Sequence, residues 1–188
     1  KLTEAPDFLL AARMTPADRG TAYHALMQHI ALRPHGAQSV LDELSRLVEE
    51  GKLTKLQAEA VDVSEIAAFF ASPLGLRLCE AAHVRREVAF NISLSARALE
   101  LSQSSAPVIL QGVIDCCFLE NGKWVLVDYK TDSVPPGPSM AELANRHARQ
   151  VNLYAHALEK LTGTPVASRM IYFFSPRAAL EVKKGIDL

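Results

Sequence analysis

Residues 112–133 read GVIDCCFLENGKWVLVDYKTDS. Two runs rich in β-branched and aromatic residues flank Asn121-Gly122. That dipeptide suits a two-residue hairpin turn, because both central positions of the turn need positive φ. A turn centred there pairs residues whose numbers sum to 243, and Asp115 and Asp128 meet that condition. They are expected to stand opposite each other on one face. Opposed Cβ atoms lie about 4.5–5.5 Å apart, and like charges at that spacing oppose strand pairing. Lys130, two residues beyond Asp128, shares the face.

Such a pair needs its charge relieved. A shared proton would raise one carboxylate's pKa. An ordinary surface ion pair with Lys130 is the plainest alternative. A divalent cation relieves the repulsion better, and oxygen donors suit Mg²⁺, Mn²⁺ or Ca²⁺. A cation so held lowers the pKa of a bound water and polarises a phosphoryl oxygen. Lys130 is placed to hold or deprotonate the attacking water, or to offset charge building on the phosphate. The set suits hydrolysis of a phosphodiester.

Outward from the hairpin, the chain changes character once. Thr15-Pro16-Ala17-Asp18 predicts a helix start, with Thr15 as N-cap and Pro16 at the first helical position. That helix is expected to run to Arg33-Pro34-His35-Gly36. AQSVLDELSRLVEEG predicts an amphipathic helix stopped by Gly51. LTKLQAEAVDVSEIAAFFAS predicts one or two more, and Ser72-Pro73 opens another. VRREVAFNISL, by contrast, alternates like a strand. After the hairpin, Val134-Pro135-Pro136-Gly137-Pro138 forbids regular structure. SMAELANRHARQVNLYAHALEKLTG predicts a long helix ended by Gly163, and VASRMIYFFS a last strand. Helices, three strands, helix, strand implies an α/β or α+β fold with a mixed central sheet flanked by helices.

The totals agree. With 188 residues, 49% hydrophobic and 22% charged, the chain is long enough for one domain with a core. No apolar run approaches a membrane span. Net charge is −1, so any nucleic-acid surface must come from local charge. Cys79, Cys116 and Cys117 show neither a disulfide framework nor zinc spacing and are expected to be small packed residues in a reducing compartment. Lys1 in place of methionine, with no signal peptide after it, leads to the expectation of a piece of a longer protein. No phosphate-loop motif occurs, so no nucleotide binding is expected.

The hairpin, with Gly112-x-x-Asp115 and Asp128-Tyr129-Lys130-Thr131, resembles the PD-(D/E)XK nuclease superfamily, with Ile114 where the name has proline. RGTAYHALMQHI resembles the histidine-bearing helix of its RecB-like branch, VRREVAF the strand whose glutamate precedes the hairpin, and RQVNLYAHAL the Gln-x-x-x-Tyr motif. GKLTKLQAEAVDVSEIAAFFASPLG resembles the C-terminal nuclease domain of AddA-type helicase–nucleases. The likeness runs from Thr15 to Ser175.

The resemblance implies a restriction-endonuclease-like core with an N-terminal helical elaboration, one domain over 1–188. A helical part at 15–84 would carry the histidine, and 85–175 the catalytic sheet and its helix. It implies a bacterial, cytoplasmic exonuclease-type hydrolase that cleaves DNA with Mg²⁺, Mn²⁺ substituting, in double-strand-break processing for recombinational repair. DNA, as single-stranded ends made by unwinding, the helicase part of the same chain and a second subunit of AddB type would be its partners. His24, Asp115, Asp128 and the Tyr129 carbonyl would hold the cation, and Lys130 would be the catalytic lysine. Glu87, Gln150 and Tyr154 would support the site, although for Glu87 an ion pair with a neighbouring arginine is equally open. From their place in the turn upstream of Gln150, Arg146 and Arg149, with His147, suit a local basic patch for contact with the DNA backbone, with an ordinary solvated helix face as the equal alternative. The cysteines do not fit the iron–sulfur cluster of related nucleases. His29 and His35 are expected at the surface, Trp124 and Tyr129 in packing, and Asp132 has no catalytic role. The alternative is a module that grips DNA or a partner protein without cutting. A retired site of that kind should have lost one of His24, Asp115, Asp128 and Lys130, and all four are present.

Overall fold

The computed structural model describes residues 15–97, 103–132 and 139–185. The proline-rich loop at 134–138 lies outside them. The described residues fall into two compact units. One holds 15–80, 129–132 and 173–178, the other 81–97, 103–128, 139–172 and 179–185.

The first unit is mainly helical. Helix α1 (Pro16–His29) starts at a capping box in which Thr15 and Asp18 satisfy each other's backbone N–H groups. Helix α2 (Ala37–Glu49) ends before Gly51, whose φ of +67° suits glycine. Helices α3 (Lys55–Glu59), α4 (Val63–Ala71) and α5 (Pro73–Glu80) follow. Gly75 allows α5 to cross the end of α4, since a Cβ there would lie 2.1 Å from the Phe69 carbonyl oxygen. An aromatic cluster fills the core. Tyr23 and Phe174 ring centroids are 4.9 Å apart, and Phe69 meets Tyr129 edge-on at 5.6 Å.

The second unit holds most of a five-stranded sheet, ordered β1 (Val84–Ser95), β2 (Pro107–Glu120), β3 (Lys123–Lys130), β4 (Val166–Phe173), β5 (Ala178–Glu181). The strands β1, β2 and β3 pair antiparallel. Asn121 and Gly122 have φ of 51° and 73°, as the sequence predicts for the tight turn. Helix α6 (Met140–Thr162) runs from a Ser139 capping box to Gly163 in the left-handed region. It returns the chain so that β4 runs parallel to β3. The Trp124 N–H donates to the Pro165 carbonyl, and the Phe174 N–H to that of Lys130. The sheet is therefore mixed, as expected.

Two expectations need correction. Strand β5 was not anticipated, because four residues, AALE, carry too little periodicity to register. His35 is not a surface residue. It is 5% exposed, with ring nitrogens 2.9 Å from Ser39 Oγ and 2.8 Å from the Ala31 carbonyl oxygen. Its ring also packs edge-on against Phe70. Local hydrogen bonds thus satisfy a buried imidazole that no sequence motif had marked as anything but a surface residue.

Candidate active site

The β2–β3 pairs run from Glu120 with Lys123 to Cys116 with Val127. Asp115 and Asp128 are the next positions in that register. The β1–β2 pairs run from Val84 with Phe118 to Ser95 with Pro107, in one register that skips a single pair. The skipped pair is Glu87 with Asp115. Three acids therefore occupy one row across three neighbouring strands, with Asp115 in the middle.

Glu87 breaks its pairing because its backbone turns over. Its φ is +52°, in the left-handed region, although the residues around it stay in the strand. A non-glycine residue held there costs about 1–3 kcal/mol and recurs at functional sites. The carboxylates of Glu87 and Asp115 offer ligand oxygens within 4.8 Å of each other. Both residues are half-buried, and Asp128 is 1% exposed. Carboxylates as close as those of Glu87 and Asp115 repel one another unless positive charge offsets them. Hard oxygen donors so spaced fit a divalent cation such as Mg²⁺ or Mn²⁺. Sequence reasoning gave Glu87 a supporting role only, because neither its φ nor its register partner could be read from VRREVAF.

Within the helical unit, His24 is half-buried on α1, with its ring 6.4 Å from that of Tyr129. Tyr129 is 2% exposed and packed, as expected. The neighbour of His24 anchors the helix. Tyr23 Oη donates to Glu65 Oε2 at 2.5 Å and accepts from Arg19 Nη2 and the Asp62 N–H, both at 3.0 Å. Burial, aided by Glu65, pushes the Tyr23 phenol up to about 12, so it remains a donor at neutral pH. Lys130 is half-buried at the end of β3.

On the strand unit, Gln150 Nε2 donates to Tyr154 Oη at 2.9 Å. The Tyr154 ring meets Phe90 edge-on at 5.4 Å. Gly112 makes this packing possible, since a Cβ there would come within 2.7 Å of Phe90 and 3.2 Å of Tyr154. Arg146 and Arg149 are exposed and His147 is half-buried. Trp124 packs under Arg85 and donates to Thr162 Oγ1 at 3.0 Å. Cys116 and Cys117 are buried and Cys79 half-buried, all as free thiols. Burial pushes the Cys117 thiol up to about 11, away from reactivity.

An antiparallel hairpin with opposed acids, a lysine two residues on and a helix crossing to a parallel strand define a nuclease class. The chain belongs to the PD-(D/E)XK nuclease superfamily, whose family model matches residues 1–186. Its relatives include three proteins named as the A-type subunit of an ATP-dependent helicase/nuclease. That of Geobacillus kaustophilus is 40% identical over 179 residues, covering 90% of this chain and 14% of the relative. That of Bacillus licheniformis is 40% identical over 182 residues, covering 92% and 15%. That of Geobacillus thermodenitrificans is 38% identical over 188 residues, covering 95% and 15%. The chain thus spans about 15% of the length of these relatives. Among the described residues, no helix is long and apolar enough to cross a membrane.

Proposed function

We propose that the chain is a metal-dependent deoxyribonuclease domain that hydrolyses phosphodiester bonds within a helicase–nuclease. The row Glu87, Asp115 and Asp128 carries this reading. Asp115 and Asp128 would hold the cation, joined by His24 and the Tyr129 carbonyl, with Glu87 as a further carboxylate ligand. Bound there, the cation would supply Lewis acidity to the scissile phosphate and acidity to a water.

The protein's own groups do the rest. Lys130, on the same strand face as Asp128, orients the attacking water and accepts its proton, or offsets charge building on the phosphate. His24 is kept in place by the Tyr23–Glu65–Arg19 bonds that fix α1. Gln150 and Tyr154, held by Phe90 and Gly112, present polar groups on α6 for a phosphate, and Arg146 and Arg149 add charge.

The names of the relatives support a place beside a helicase, as one subunit of a helicase/nuclease. We extend this to action on DNA ends with a second subunit of AddB type, during double-strand-break repair in the bacterial cytoplasm. Single-stranded DNA made by unwinding is the proposed substrate, with Mg²⁺ as the cation, Mn²⁺ substituting, and exonuclease-type cleavage.

Cleavage of labelled single-stranded DNA with Mg²⁺ or Mn²⁺ tests this, comparing the wild type with Asp128→Ala and Lys130→Ala. Metal-dependent cutting that disappears in both variants is expected. Cutting retained by both would contradict the assignment of the hairpin.

A further inference from the structure

The segment after β5 carries Lys183 and Lys184, both exposed, and it has no regular structure of its own. It is nevertheless tied down at three points. The Val182 N–H donates to the Arg169 carbonyl at 2.7 Å, and Val182 is buried. The Asn152 side chain on α6 then clamps the next residues. Its Oδ1 accepts from the Gly185 N–H at 3.0 Å, and its Nδ2 approaches the Lys183 carbonyl at 3.4 Å. The same Nδ2 donates to the Ala148 carbonyl at 2.9 Å, which fixes the amide against its own helix. The approach is close enough to demand glycine, since a Cβ on Gly185 would lie 2.8 Å from Asn152 Nδ2.

One amide therefore brackets the tail and the helix turn that begins at Ala148. Arg149 belongs to that turn, is exposed, and lies three residues before Asn152, on the same side of the helix. Arg149, Lys183 and Lys184 are thereby carried on two stretches of backbone that the one Asn152 amide joins. The chain as a whole has a net charge of −1, so this is local concentration rather than a generally basic surface.

We propose that this clamped tail and the α6 turn form a second contact with the DNA phosphate backbone, beyond the acid row, with Asn152 as its positioning residue. The proposal rests on the nuclease reading, because a nuclease substrate is a polyanion. The lysines supply charge without reading bases, so the strip holds DNA of any sequence. Asn152 touches no substrate. It acts by holding the two lysines beside Arg149 in a fixed geometry.

The test is the binding of a labelled 20-nucleotide single strand to the full chain, by anisotropy in EDTA over a series of salt concentrations. Lys183→Ala/Lys184→Ala is expected to weaken affinity about tenfold at low salt and to flatten the salt slope by about 1.4, at roughly 0.7 for each phosphate no longer neutralised on a single strand. Asn152→Ala is expected to weaken binding several-fold with no change of charge, its thermal midpoint showing that the fold persists. Lys183→Arg/Lys184→Arg should bind like the wild type. Wild-type affinity and salt slope in the double alanine variant would overturn the strip. If that happened while the wild type still cut DNA, the strip would fail and the nuclease reading would stand. A wild type that neither bound nor cut DNA would overturn both.

Discussion

Continued by one position, the two strand registers set an acid on each side of Asp115, Glu87 at the position that β1 skips and Asp128 one step past the last β2–β3 pair. Like charges facing each other across strands oppose pairing, so removing one carboxylate should relieve that repulsion in the metal-free protein. Asp115→Asn is expected to raise metal-free stability by about 0.5–1 kcal/mol and to abolish any stabilisation by Mn²⁺, both readable by thermal melting. Glu87 adds a separable effect. An ordinary strand residue changed to glycine loses roughly 0.5–1 kcal/mol, whereas Glu87 sits at a φ that glycine prefers. Glu87→Gly is therefore expected to cost no metal-free stability while weakening Mn²⁺ affinity, as denaturant unfolding and calorimetry would show. The opposition of Asp115 and Asp128 was legible in the sequence, because a two-residue turn fixes register by arithmetic. The place of Glu87 was not. It depends on the β1–β2 register, which spans a longer connection that no tight-turn signal sets.

At the scale of elements, capping chemistry explains why the helices start where the sequence says they do. Thr15, Thr54 and Ser139 each close a capping box with the residue three positions on. Asp62 caps α4 through the Ser64 N–H at 2.8 Å. Hydrogen bonds from the Ser64 hydroxyl and backbone hold its carboxyl below the usual range. A depressed pKa contributes stability that is present above the unfolded value and lost as pH falls through the folded one. Asp62→Ala is expected to cost about 1 kcal/mol near neutral pH, with the difference from wild type shrinking below pH ~4, near the ordinary aspartate pKa. The Tyr23 network ties α1 to α4 in the same unit. Tyr23→Phe leaves the 6%-exposed Glu65 without its phenolic donor and is expected to cost about 1–3 kcal/mol in denaturant unfolding. Boundaries were readable because caps are local. His35 was misjudged because its burial depends on packing against Phe70, a residue far along the chain.

For the whole molecule, the fold class followed from the order of elements, since a helix between two strands makes a parallel pair and a tight turn makes an antiparallel one. The candidate site was legible to the extent that it is a hairpin with a lysine. Gly112 was legible as part of a motif but not as the residue that admits Phe90 and Tyr154, and Asn152 escaped functional reading, because each acts by close approach to a distant element. Calorimetric titration of the full chain with Mn²⁺, wild type beside Asp115→Asn and Lys130→Ala, tests the central claim most directly. The acid row predicts saturable binding in the wild type, its loss in Asp115→Asn, and its retention in Lys130→Ala, since the lysine serves water and phosphate rather than the cation. No binding in the wild type, or equal binding in Asp115→Asn, would contradict the row as a metal site.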